Sequence, residues 1–188
     1  LNLNQTESNG ECPESNKHQF LKDSGPSILN VLVLGVGNIL LSDEGAGVRA
    51  VEELQNRYDC PDTVEIVDGG TVGFELLPYF EDRSHILILD AVKTGNKPGT
   101  IVRIDDPPAF LQKKISPHQI GLADVMGIAV ITDNMPQNIA LFGIEPKELS
   151  TGLDLSTEVA RNLSRLVDMV VEELKAIGVD VQPKNQSF

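Results

Sequence analysis

Tryptophan is absent from this chain of 188 residues, cysteine and tyrosine occur twice each, and 15 Lys and Arg stand against 28 Asp and Glu, a formal net charge of −13. Each shortage excludes something. Cys12 and Cys60 are too few and too isolated for a disulfide framework or a thiolate zinc cluster, and they suit a reducing cytoplasm. The negative excess repels the phosphate backbone, so nucleic acid is not an expected partner, and anionic membrane surfaces are disfavoured for the same reason. No apolar run approaches the roughly 20 residues of a membrane-crossing helix, and residues 1–27 lack the basic start and apolar stretch of a secretory signal. That leading segment is rich in Asn, Ser, Glu, Gln and Gly. It is expected to be a flexible extension, because so polar a stretch buries too little surface to offset the entropy of ordering; a short helix docked through Phe20 and Leu21 is the alternative.

Apolar residues make up 40% of the chain, enough for one sizeable core, and the pattern that arranges them begins at Ile28. Residues 28–34 read as a buried strand that stops at Gly35-Val36-Gly37-Asn38, where glycine permits tight turns. A helix over 46–57 follows, then a short strand at 64–67 ending in Asp68-Gly69-Gly70-Thr71, and a short helix over 73–80 with Phe74, Leu77 and Phe80 expected inward. His85 to Val92 is an uninterrupted apolar run carrying Asp90 near its end, the mark of a strand covered on both faces. Thr100 to Ile104 is a further strand. Ser116-Pro117-His118-Gln119 has the grammar of a helix start, with Ser116 at the cap and Pro117 at the first helical position. Asn138 to Ile144 is a strand, and from Ser156 the apolar residues Val159, Leu163, Leu166, Val170, Leu174 and Ile177 recur at helical spacing until Gly178. Alternating strands and helices predict an α/β fold, a three-layer αβα sandwich on a mainly parallel, doubly wound twisted sheet. One domain is expected over residues 28–178, with a polar tail over 179–188.

In such sheets, sites lie at the carboxyl ends of strands. Glu44 and Asp90 each follow a strand expected to be central, so the two carboxylates can share the crevice above the sheet, and His118 at a helix start can face the same place. Two hard oxygens and an imidazole nitrogen form a divalent-metal trio. The bland readings stand beside this one: Asp43 and Glu44 favouring the positive end of the first helix, Asp90 capping backbone, His118 a satisfied histidine. Asp68 belongs to the same layer of strand ends, whereas His18 lies in the leading segment and His85 at the opposite end of its strand. Gly35-Val36-Gly37 lacks the third glycine of a dinucleotide loop, and no phosphate loop or Gly-x-Ser-x-Gly elbow is present.

Taken together, Gly35-Val36-Gly37-Asn38-Ile39-Leu40 with Asp43-Glu44-Gly45, then Asp68-Gly69-Gly70-Thr71, Leu89-Asp90-Ala91 and Ser116-Pro117-His118-Gln119-Ile120-Gly121-Leu122 resemble the endopeptidases that mature the large subunit of nickel-iron hydrogenases. The motifs run in family order over residues 28 to about 174. The long leading segment departs from the compact family pattern without touching the matched residues. The resemblance implies a cytoplasmic protease, counted by some among the aspartic peptidases, that removes a C-terminal extension from a folded, nickel-loaded precursor. It assigns metal contact and catalysis to Glu44, Asp90 and His118. Nickel, in this reading, belongs to the precursor, no organic cofactor is implied, and the free enzyme is expected to be a monomer. Either nickel polarises the scissile carbonyl or activates a water, or Asp90 or Glu44 takes the water's proton while nickel places the peptide. The alternative class is a non-catalytic nickel-sensing chaperone or docking protein; a nucleotide-binding module is weaker still.

Overall fold

The computed structural model describes residues 29–71, 73–111, 117–136 and 138–184; the leading segment and the Ser116 cap lie outside them. Strand β1 (Val31–Val36) leads through a 3-10 turn (Ser42–Gly45) into α1 (Ala46–Arg57). Then come β2 (Tyr58–Asp59), β3 (Val64–Gly70), a 3-10 turn (Phe74–Leu76) running into α2 (Leu77–Phe80), and β4 (His85–Ala91). The chain continues through β5 (Ile101–Ile104), α3 (Pro107–Leu111), α4 (Pro117–Ile131), β6 (Asn138–Ile144), α5 (Thr157–Ala176) and β7 (Gln182–Pro183).

The main sheet has the order β3-β1-β4-β6-β5, parallel throughout except for β5, which pairs antiparallel with β6 at the edge. Period-two alternation divides its side chains between two cores. Val31, Val33, Leu87, Leu89, Ala140 and Phe142 point to one face, where α1 and α5 bring Val51, Leu54, Leu166, Val170 and Leu174. Leu32, Leu34, Ile86, Ile88 and Leu141 point to the other, against Phe80 of α2 and Leu122, Val125 and Met126 of α4. Helices on both faces of a mainly parallel sheet make the expected αβα sandwich.

Several details differ from the expectation, among them the unexpected β2 and α3. The first short helix is split between a 3-10 turn and α2, and the residue it buries beside Phe80 is Leu76; Phe74 is 61% exposed. A 3-10 turn advances each residue by about 120° rather than 100°, so helical spacing misassigns its inward side. Strand β3 runs on through Asp68 and Gly69 to Gly70, with a register irregularity against β1 between Gly35 and Val36. Beyond Gly178 the chain buries Val179 and Val181 before Gln182 and Pro183 pair with β2.

Candidate active site

Strand order reverses between β1 and β4: from β1 the chain goes out to β3 on one side and returns to β4 on the other. Loops leaving two such strands diverge to opposite faces and open a crevice at their carboxyl ends, the standard place for a site in this architecture. Both expected carboxylates are there.

Glycines determine how closely Glu44 approaches this junction. A Cβ on Gly47 would lie 2.1 Å from the carbonyl oxygen of Leu89 and 2.3 Å from that of Val36, so the first turn of α1 rests directly on the ends of β4 and β1. Glu44 stands three residues before Gly47, and the 3-10 turn that carries it packs against β4, whose next residue after Leu89 is Asp90. Gly37 has φ +136, and a Cβ there would fall 1.8 Å from the Glu44 carbonyl oxygen. Only glycine lets the loop fold back so tightly over the backbone of Glu44. Ser42 enters the turn at φ +49, a left-handed conformation for a residue with a side chain, and its N–H is held by the Gly152 carbonyl at 2.8 Å. Glu44 is 6% exposed and Asp90 fully buried. Burying a carboxyl group costs free energy unless it is paired or hydrogen-bonded, so two of them at one crevice make it the candidate site.

His118 stands in the first turn of α4, and only the backbone of that turn is described. One turn later, Gly121 meets Gly73, a Cβ on Gly121 lying 3.4 Å from the Gly73 Cα. Gly73 closely follows the end of β3, so the start of α4 stands at the same end of the sheet as Glu44 and Asp90. Among the described residues, no group of three or more His, Cys, Asp or Glu is gathered to hold a metal ion. His85 lies at the opposite end of β4, where burial pushes its imidazole below the ordinary value.

Two further buried carboxylates lie at the same end of the sheet. Asp43, fully buried, does not serve the first helix; its Oδ2 accepts from the N–H groups of Lys147 at 2.8 Å and Glu148 at 3.1 Å, and its Oδ1 from Ser156 at 2.7 Å. It thereby ties the Glu44 turn to the segment leading into α5. Glu145, just past β6, accepts from the backbone N–H groups of Thr94, Gly95 and Asn96 and from the Thr94 hydroxyl. Burial alone pushes its carboxyl up, but the bonds from Thr94, Gly95 and Asn96 together outweigh it and hold the group below the usual carboxylate range. Sequence reasoning passed over Glu145, although its place just after a strand was the available signal. Asp68 is exposed and turns its Oδ1 to the Gly70 N–H at 2.9 Å.

Gly35 packs β1 tightly on α1: a Cβ there would lie 2.5 Å from the Gly47 carbonyl oxygen and against Val51. The glycine serves strand-to-helix packing.

Comparison with known proteins agrees with this layout. A family model for hydrogenase maturation protease matches residues 48–173, more than half of the chain, including Asp90 and His118. Hydrogenase 2 maturation protease of Escherichia coli K12 is 45% identical over 159 residues, covering 83% of this chain and 97% of that protein. Hydrogenase expression/formation protein HupD of Rhodobacter capsulatus is 43% identical over 155 residues, 80% of this chain and 74% of the relative. Among solved structures, the hydrogenase maturating endopeptidase HybD from E. coli superposes with a TM-score of 0.80 at 44% identity, covering 85% of this chain and all of that one. The NiFe hydrogenase maturation protease HybD from Thermococcus kodakarensis gives 0.65 at 27%, over 77% and 99% of the two chains. With a family model matched over most of the α/β unit and relatives this similar over most of their own length, the chain belongs to the hydrogenase maturation protease family and is an endopeptidase.

Proposed function

We propose that Glu44, Asp90 and His118 perform the cut that releases the C-terminal extension of a nickel-iron hydrogenase large-subunit precursor. The observation that carries this reading is the pair of buried carboxylates at the crevice between β1 and β4. Nickel arrives with the precursor, and the three side chains meet it from the protease side as two oxygens and one nitrogen. Nickel held there would polarise the scissile carbonyl or lower the pKa of an attacking water; in the alternative, nickel would only place the peptide, Asp90 or Glu44 would take the proton of the attacking water, and the amide nitrogen would leave with that proton returned by the same carboxyl. Cys12 and Cys60 have no motif partner, so the attacking group is water rather than a covalent nucleophile.

The same reading gives a monomeric enzyme acting in the cytoplasm on a folded precursor, with residues 28–178 as the peptidase unit. No helix among the described residues is long and apolar enough to cross a membrane. The test is intact mass of nickel-loaded and nickel-free precursor incubated with the purified chain. Loss of a terminal peptide from the loaded form alone is expected. Equal cleavage of both forms would remove the role of nickel, and an unchanged mass in both would leave binding without hydrolysis.

A further inference from the structure

Beside the Glu44 turn lies a groove of roughly 270 Å³ that the carboxylates do not use. Ile39, Leu40 and Val48 line it together with Asp68, Gly70 and Thr71. Leu40 is 56% exposed and Ile39 38%, although both sit in a well-fixed turn: the Leu40 N–H donates to the Asn38 Oδ1 at 3.0 Å and the Leu41 N–H to the Asn38 carbonyl at 3.0 Å. A turn tied on both sides and presenting two large apolar side chains to solvent spends surface that folding alone would hide.

Size and lining restrict the occupant. The volume falls below the ~300 Å³ at which pockets for drug-sized molecules and cofactors begin, and fits one large apolar side chain with adjoining main chain. Among the described lining residues the only charged group is Asp68, which would repel a phosphate. Continuity with the crevice supplies the rest: Gly45 packs against the Ile39 Cα, and Gly37 against the Glu44 carbonyl, so the groove wall and the Glu44 turn are one piece of backbone. A side chain held in the groove therefore lies beside the turn that carries Glu44.

We infer that the groove between residues 37–40 and 68–71 receives an apolar side chain of the precursor flanking the scissile bond, which makes Leu40 and Ile39 determinants of substrate specificity. This rests on the peptidase reading of the Glu44 and Asp90 crevice.

The experiment uses the full chain and nickel-loaded precursor, with cleavage followed by intact mass over a range of precursor concentrations. Leu40→Ser, at an exposed position, should leave the melting temperature unchanged, raise KM about tenfold and leave kcat within about twofold; Leu40→Met should restore KM. Serine placed in turn at each apolar precursor position near the cleaved bond should find one position that slows wild-type enzyme and adds nothing to Leu40→Ser. Wild-type KM in Leu40→Ser, or losses that multiply at every precursor position, would overturn the inference. A dimer of the free enzyme that Leu40→Ser dissolves would give the groove to a second copy and overturn it equally. Glu44→Gln, run alongside, separates the two readings. If it cleaves normally while the Leu40 coupling holds, the catalytic assignment fails and the groove stands; if it is inactive while Leu40→Ser keeps its KM, the groove fails alone.

Discussion

Asp43 and Glu145 are buried acids at the same end of the sheet as Glu44, and their hydrogen bonds show what each does. Asp43 holds three backbone N–H groups and Glu145 three more with a hydroxyl, so both are spent on holding loops. Asp43→Ala strands those three donors, and a loss of about 2–4 kcal/mol in urea unfolding is expected, with a smaller loss for Asp43→Asn, which keeps one acceptor. Glu145 gives a pH signature. Its folded pKa lies below the ordinary 4.5, so its contribution to stability is complete above that value and disappears as the pH falls through the folded pKa. Glu145→Gln should lower stability at neutral pH and flatten the acid limb of the curve; an acid limb identical to wild type would show that the Thr94 to Asn96 bonds carry no net charge-dependent stability. At this scale the sequence was legible where chemistry clusters in motifs, as with Glu44 and Asp90 at their strand ends. It did not disclose what Asp43 and Glu145 bind, because their partners, mostly backbone N–H groups, lie more than 45 residues away in sequence, and backbone donors leave no trace in residue type.

Among the elements, strands and long helices followed from apolar periodicity, and α1 and β6 have the limits read from sequence. The errors fall where periodicity is short. The 3-10 turn at Phe74–Leu76 is too brief to establish a phase, and β2 and β7, two residues each, pair only because the chain end folds back. Glycines separate close packing from mere permissiveness. Gly47→Ala drives a Cβ to 2.1 Å from the Leu89 oxygen, and α1 must lift from the sheet; about 2 kcal/mol or more of stability should be lost, with cleavage falling further as Glu44 moves. Gly127, in the interior of α4, has nothing within 4 Å of a Cβ, and Gly127→Ala should add about 0.5–1 kcal/mol. Thermal unfolding of the two variants side by side checks both, and a stabilising Gly47→Ala would contradict the packing described for the start of α1.

For the molecule as a whole, topology does what no single motif can. Glu44 and Asp90 are 46 positions apart in sequence, and only the pairing of β1 with β4, with the reversal of strand order between them, brings their strand ends together. Parallel alternation made that reversal foreseeable, but which two strands flank it is a matter of sheet order, which composition and spacing do not encode. The reversal explains why the carboxylates stand at one crevice. The account stands on the proposal that these carboxylates make the cut. Its most direct test is the single-turnover cleavage rate of nickel-loaded precursor, read by intact mass, for wild type, Glu44→Gln and Asp90→Asn, each shown by circular dichroism to be folded. Both substitutions keep size and remove charge, and each is expected to slow cleavage by at least about a hundredfold. Folded variants that both cut at the wild-type rate would contradict it.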